Sequence, residues 1–386
     1  MNKKSFWLST SALVGAAMIA TPAMAGQVGS KDALSVTLGG EFRFQVGLVD
    51  QDVSATAGRG YQFKVDESEI NIGAEATADN GVKYGVNIEL NAGAGDSSTA
   101  NADTGGAADE AWAFIDSTSW GRIELGDQDD ATDRMFVESD DILVGRAGPD
   151  GDVADFISFG TGGGIAATGN TITGDATKVT YFTPRIAGFQ LGGSLTPDSG
   201  QAAGGPATSD SDADGDFENV FGIGANYEGK FDDVSFVLSL TGEFGDSETA
   251  TGAASNGDVE TIAAGAIVNF AGFGLGVGYV DLAEQGQTAA AMTGGADSGS
   301  YYTVGGSYST GPWGVSLNWF ESSKANTAGI SDTDIQIISL DVAYAVAPGW
   351  EVNLSANTVS ADNINATAVP VNNDGTVVIL SNQFNF

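Results

Sequence analysis

Apolar residues in this chain recur at every second position, segment after segment, and almost never collect into blocks. Leu34, Val36, Leu38, Phe42, Phe44, Val46 and Leu48 alternate with Ser35, Thr37, Glu41, Arg43 and Gln45. Late in the chain Ile338, Leu340, Val342, Tyr344 and Val346 interleave with Ser339 and Asp341. An extended backbone turns successive side chains to opposite faces, so this spacing predicts strands with one apolar and one polar face. Beyond residue 26 no apolar run approaches the roughly 20 residues that a membrane-spanning helix needs. Helical periodicity is confined to the N-terminus and a turn or two near 131–137.

The segments form hairpins whose connections alternate in length. Short turns carry Gly, Pro or Asn beside an aromatic, as in Ser119-Trp120-Gly121, Gly229-Lys230-Phe231, Thr310-Gly311-Pro312-Trp313 and Ala347-Pro348-Gly349-Trp350. Between them lie long polar stretches at 92–108, 196–216, 245–257, 282–298, 322–332 and 361–374. Such sorting suits a barrel with short turns at one membrane face and long loops at the other, and about sixteen strands result. They fall near 34–49, 61–77, 82–91, 109–117, 121–127, 177–183, 188–196, 218–229, 232–244, 258–270, 273–281, 299–309, 312–321, 333–347, 350–360 and 375–386.

The N-terminus reads as an export signal. Lys3 and Lys4 precede an apolar stretch, and Ala23-Met24-Ala25 has the small-x-small pattern of a cleavage site. We therefore expect residues 1–25 to be removed, with the barrel occupying 26–386. Cysteine and histidine are both absent. Disulfide and thiol chemistry is thus excluded, and so are the commonest general base and the commonest transition-metal ligand. With 51 acidic residues against 14 basic ones, the net charge of -37 repels nucleic acid.

The apolar faces are expected to meet lipid, with Trp120, Trp313, Trp350, Phe231, Phe270 and Phe273 at the interface beside the short turns. The opposite faces are rich in Gly, Ser, Asn, Gln, Thr and charges. Burying so many polar groups without partners would be prohibitive, so a water-filled lumen is expected. The exception to the hairpin pattern is the stretch 128–176, by order the third long loop, whose length without strands calls for a functional reason. It holds Met135, Phe136, Val137, Ile142, Leu143, Phe156, Ile157 and Phe159, which a loop in open water would not need. We expect it to fold back into the lumen, apolar side to the wall. Its acids Asp127, Asp129, Asp130, Asp133, Glu138, Asp140 and Asp141 would then face the pore.

Around this loop the sequence resembles a known family. Glu110-Ala111-Trp112-Ala113-Phe114-Ile115, then Trp120-Gly121-Arg122-Ile123-Glu124-Leu125-Gly126-Asp127, and Val179-Thr180-Tyr181-Phe182-Thr183-Pro184 closing on Gly188-Phe189, look like the general porins of Gram-negative bacteria. Those of α-proteobacteria are the most similar. The resemblance spans the mature chain in order and is strongest here and at the C-terminus, which ends on Phe386. It implies a sixteen-stranded trimeric diffusion channel in the outer membrane, embedded among lipid and lipopolysaccharide. Its third loop would form an eyelet whose acids face basic residues on the opposite wall. Arg43 matches such a wall arginine, Lys83 lies on the inward parity of the third strand, and Lys178 and Arg122 follow by parity alone. Glu41, Glu67, Glu69 and Glu75 also point inward, where related sequences tend to place basic residues. That departure predicts an acid-lined lumen that prefers cations.

Other motifs carry less. Gly224 to Lys230 has the spacing of a phosphate-binding loop, but Phe231 stands where Ser or Thr must bind magnesium. Asp210, Asp212 and Asp214 copy the opening of a calcium loop, yet its twelfth position is Phe221 in place of Glu. No cofactor is expected beyond a weakly bound Ca2+ in the external loops. Nothing nominates an enzyme, because a nucleophilic serine would lack its histidine base. Two alternatives to a general diffusion channel stand: a solute-specific porin, whose conductance one solute would saturate, and a soluble calcium-decorated surface β-protein, which chelator washes would release.

Overall fold

The computed structural model describes residues 34–53, 60–91, 108–169, 172–200, 216–248 and 256–386. The expected signal at 1–25 and the acids Asp210, Asp212 and Asp214 lie outside them. Each alternating segment becomes a strand, with bounds within a few residues of the sequence reading. In chain order they are β1 (Ser35–Gln51), β2 (Tyr61–Thr77), β3 (Lys83–Asn91), β4 (Ala108–Ser117), β5 (Gly121–Asp127), β6 (Thr177–Phe182), β7 (Phe189–Asp198) and β8 (Phe217–Phe231). The second half holds β9 (Val234–Ser247), β10 (Val259–Phe270), β11 (Phe273–Asp281), β12 (Ser300–Thr310), β13 (Trp313–Lys324), β14 (Thr333–Ala347), β15 (Trp350–Asp362) and β16 (Asn373–Asn385). Among the described residues, two short helices, α1 (Ala131–Met135) and α2 (Ala289–Thr293), and two 3-10 turns join the strands.

Every strand pairs antiparallel with its chain neighbours, and β16 pairs with β1, so the sheet is a closed barrel of 16 strands. Phe42 faces Phe384 and Leu48 faces Val378 across that seam. Gly40 and Phe386 complete it, each N–H donating to the other's carbonyl at 3.0 and 3.1 Å. Closure leaves no strand edge with unpaired backbone groups, which is the condition for a sheet to stand in lipid.

The apolar faces turn outward. Phe42, Leu48, Leu275, Leu317 and Leu340 are all exposed beside buried neighbours, and Leu38 is exposed as well. At the short-turn end aromatic side chains pair across strands: Phe189 with Tyr227 at 4.4 Å, Phe273 with Tyr308 at 4.5 Å, Trp313 with Tyr344 at 4.5 Å and Trp350 with Phe384 at 5.7 Å. This is the aromatic belt expected of Trp313, Trp350 and Phe273, and such rings suit the boundary between hydrocarbon and water. The Gly224–Lys230 segment lies within β8 and so has no helix to receive a phosphate.

The inner face differs from the uniformly polar wall that alternation suggests. Tyr301, Phe320, Ile335, Ile337, Val359, Ala361, Val377 and Ile379 occupy inward positions toward the long-loop end of β12–β16. They pack with Phe136, Ala147, Val153, Phe156 and Ile157 of the third long connection. The connection brings its own apolar side to the wall, so both partners leave water together. Nearer the short turns the same strands carry buried Thr303, Ser316, Asn318, Ser339, Ser355, Asn357, Ser381 and Gln383.

The path of the third connection is traced by its hydrogen bonds. Asp130 caps α1 by accepting from the Asp133 N–H at 2.9 Å, and α1 lies against β6–β9. The Val137 N–H donates to Ser239 Oγ at 3.0 Å, and the 3-10 turn Ser139–Ile142 lies against β10–β13. Further on, the Val144 N–H donates to Ser316 Oγ at 3.0 Å, and Asn357 Nδ2 donates to the Ala147 carbonyl at 3.0 Å. Asn373 Nδ2 donates to the Ser158 carbonyl at 2.7 Å. The segment thus skirts the inward-facing side chains of successive strands until it reaches β1 and β2.

Candidate functional site

Where the connection meets β1 and β2, charges concentrate. Arg43 is buried, and one guanidinium nitrogen donates to Asp66 at 2.6 Å and to Asp152 at 3.2 Å. Its other terminal nitrogen donates to Glu41 at 2.8 Å. Lys64 reaches Asp66 at 3.2 Å and pairs closely with Asp155. Gln45 donates to Asp152 at 3.2 Å and to the Arg146 carbonyl at 3.0 Å. A lone guanidinium out of water would cost several kcal/mol, so this burial is tolerable only because carboxylates surround it. Four carboxylates face two cations, and the cluster stays net negative.

Strict alternation would not have placed Lys64 and Asp66 here. The pairing of β1 with β2 shifts register between Phe42 and Phe44, so residues 64 and 66 face inward before the bulge and residues 69, 71, 73 and 75 after it. A bulge inserts one residue and reverses the parity of the strand beyond it. Asp152 and Asp155, from the second 3-10 turn, had no signal beyond their loop.

The expected loop acids are sorted by burial. Asp130, Asp133 and Glu138 are buried, whereas Asp141 is exposed and Asp129 and Asp140 are half-buried. Tyr301 and Thr303 hydroxyls donate to the two Glu138 oxygens at 3.3 Å each. Burial pushes the Glu138 carboxyl well up from its ordinary range, the Asp140 and Asp141 charges add to this, and the two hydroxyls oppose it. Asp127 ends β5 and accepts from the Thr177 hydroxyl across the mouth of the loop. The reading that all these acids face the pore therefore gives way to a wall-bound set and a water-facing set. Short acidic side chains at the helix cap and in the capping box satisfy loop N–H groups at the wall.

Four further cations are engaged by carboxylates or carbonyls. Arg122 and Arg134 both bind the fully buried Glu124 and lie over the Trp112 ring at 5.4 and 5.7 Å. Arg122 also stacks 4.1 Å from the Phe114 centroid. Lys178 is buried with its ammonium on the Gln128, Gly174 and Ala176 carbonyls, so it ties together both ends of the connection. Arg146 reaches Glu351 at 3.5 Å. Lys83 is exposed at the short-turn end and pairs in register with Thr77, the last residue of β2. It is not brought to Arg43, which meets Asp66 in the first half of that strand.

Away from Lys83, the charged side chains that stay open to water on the inner side of β2–β4 are acidic. Glu69 lies opposite Glu41, and Glu89 lies opposite Glu110. Glu67 and Glu75 flank this row on β2. Carboxylate oxygens of Glu69, Glu89 and Asp109 approach within 4.8 Å of one another, as do those of Glu110, Asp129 and Asp175. Oxygen groups of this kind suit hard cations. Sequence parity indicated Glu41, Glu67, Glu69 and Glu75; it missed Glu89 and Glu110, although both obey the same alternation.

A model of the family described as Gram-negative porin matches residues 9–364. The chain belongs to that family. Among relatives, an uncharacterized protein of Rickettsia bellii is 22% identical over 295 residues, which is 61% of this chain. The match spans 66% of that relative, just under two thirds of its length. Among solved structures, an anion-selective porin from Comamonas acidovorans has a TM-score of 0.58 at 16% identity, covering 92% of this chain and 100% of that one. A mutant of the Rh. blastica porin gives 0.56 at 19%, covering 91% and 100%. At such identities the likeness of this porin to them is one of fold.

Proposed function

We propose that this porin is a passive diffusion channel for small hydrophilic solutes and ions across the outer membrane, with an acid-lined lumen that prefers cations. The observation that carries the charge preference is the disposition of Arg43, Lys64, Arg122, Arg134 and Arg146, each bound to a carboxylate. Their field is cancelled locally, while Glu67, Glu69, Glu75, Glu89 and Glu110 line β2–β4. Fixed negative charge in a narrow aqueous path raises the local cation concentration. The anion selectivity of the Comamonas porin does not extend to this chain, because selectivity depends on wall charge and only the fold is shared.

On this reading the 128–176 connection lies within the lumen and narrows it, and no step of catalysis is involved. Residues 1–25 direct export and are cleaved near Ala25. The outward apolar belt contacts lipid and lipopolysaccharide, and the family resemblance implies a homotrimer. The test is reconstitution into a planar bilayer under a salt gradient. Stepwise conductance with a cation-selective reversal potential is expected. No steps would defeat the channel, and an anion-selective potential would defeat the charge assignment alone. Trp112 and Phe114, inward on β4 beneath two guanidiniums, favour a second reading as a solute-specific porin. Saturation of the conductance by one sugar or carboxylate would select it.

A further inference from the structure

The third connection lies on a track of glycines. On β11 every inward position from 274 to 278 is glycine, while the outward Leu275, Val277 and Tyr279 are large and exposed. Glycine weakens a strand by roughly 0.5–1 kcal/mol relative to alanine, so three on one face need a reason. The reason is close approach. A Cβ on Gly276 would stand 2.6 Å from Ser139 Cα, one on Gly278 would stand 2.5 Å from Glu138 Cβ, and one on Gly305 of β12 would stand 2.7 Å from Asn318 Oδ1 and 2.9 Å from Ser139 Cβ. A Cβ on Gly265 of β10 would overlap the Val137 carbonyl.

Apart from Asn318 Oδ1, these obstructing atoms are backbone or Cβ, which no rotamer change can move aside. Elsewhere on the track the obstruction yields more easily: the Met135 sulfur lies beside Gly224, and the Phe156 ring lies beside Gly47. The stretch 137–139 is also where the segment is pinned. Val137 N–H donates to Ser239, and Ser139 Oγ donates to Asn318 Oδ1 at 2.6 Å. Gly274 is different: its Cβ would meet the connection only at Ile142, at an ordinary 3.5 Å, and the closer atoms, Ser307 Oγ at 2.7 Å and Asn269 Oδ1 at 3.1 Å, are side-chain ends of the wall itself.

We propose that Gly265, Gly276 and Gly305 are specificity-determining residues, because the missing side chains fix how far the 137–139 backbone stands off the wall and so how wide the pore is. This rests on the channel reading above. Any methyl group added there must push the segment toward the barrel axis, since the wall behind is a hydrogen-bonded sheet. The wall charges stay in place, so aperture changes while ion preference does not.

The experiment measures displacement and conductance separately. The chain has no cysteine, so spin labels at Asp141→Cys and Glu89→Cys report a single distance between the segment and β3, eight strands from β11 in the barrel order. In assembled barrels that distance should shorten in the order Gly276→Ala, then Gly276→Val, with Gly274→Ala unchanged. Unitary conductance of the unlabelled variants should fall in the same order, by about twofold for Gly276→Val, at constant reversal potential. If position 276 does not tolerate substitution, Gly305→Ala should narrow the pore and the added Ser139→Gly should restore it to the Ser139→Gly value. An unchanged or lengthened distance in Gly276→Ala or Gly276→Val, or no rescue at 305 and 139, overturns the inference. A wild-type barrel without conductance would sink the channel reading, and the distances would still decide the seat.

Discussion

The walls formed by β2–β4 and by β10–β14 come from the same alternating pattern, yet their inner faces are built on opposite terms. On β2–β4 the inward positions carry Glu69, Glu75, Glu89 and Glu110, with Glu67 at the bulge, all half-buried or exposed to water. On β10–β14 they carry Gly265, Gly276, Gly305 and Gly314, with Ile335 and Ile337 above, and the third connection lies directly against them. Period two specifies which side chains turn inward and nothing about what they meet there. A wall facing water can keep its charges, whereas a wall facing another piece of backbone must surrender volume and polarity to it.

Reversing three charges on the open wall should break this contrast most completely. Glu69→Lys, Glu89→Lys and Glu110→Lys together are expected to move the reversal potential to anion selectivity. Asp341→Asn, on the covered wall beneath Gly145, should leave it in place. Equal shifts from both would mean that the covered wall is as open as the other. Next in size is Arg43→Ala, which takes the guanidinium from Asp66 and Asp152 at the junction of the two regions and leaves them to Lys64 and Gln45. Breaking such a buried pair costs about 3–5 kcal/mol. We expect a lower unfolding midpoint in detergent together with stronger cation preference, and an unchanged midpoint would show that the cluster holds nothing.

Lys178→Met removes the donor shared by three carbonyls at the loop's two ends, and each orphaned acceptor costs roughly 1–3 kcal/mol. Faster proteolysis within 128–176, with the barrel itself intact, is the expected sign. The smallest effect concerns Glu138, whose carboxyl is held well above its ordinary range. Its folded form favours the proton, so the seat is firmest below the unfolded carboxylate value. Stability is lost as pH climbs from there toward the raised folded value. Glu138→Gln should flatten that slope, as read by loop proteolysis between about pH 4 and 8. A slope identical to wild type would place the titration elsewhere.

The barrel, its strand bounds and its seam were legible because alternation and turn residues are local signals. Most of the open wall was legible too, since parity alone turns Glu69 and Glu75 inward. The covered wall was legible only in fragments. Gly274-Leu275-Gly276-Val277-Gly278 announces a close approach without naming what approaches. Asp66 and Lys64 were hidden by one bulge, which reverses parity between Phe42 and Phe44. Asp152 meets Arg43 from 109 positions away, and no periodicity reports a contact of that range. The polar interior failed as an expectation for the same reason, because Val377 and Ile379 face a loop rather than water.

The seam between Gly40 and Phe386 has a consequence in time as well as in space. The strand that completes the barrel comes last of the sixteen in chain order, and its partner is the first. Only β16 can satisfy β1, and until it arrives two full-length edges stay open to any other strand. Such a maximally non-local pairing is slow to find. The interval between export and closure is therefore when this chain is most exposed to mispairing. A closed seam certifies that all the strands between β1 and β16 are in place.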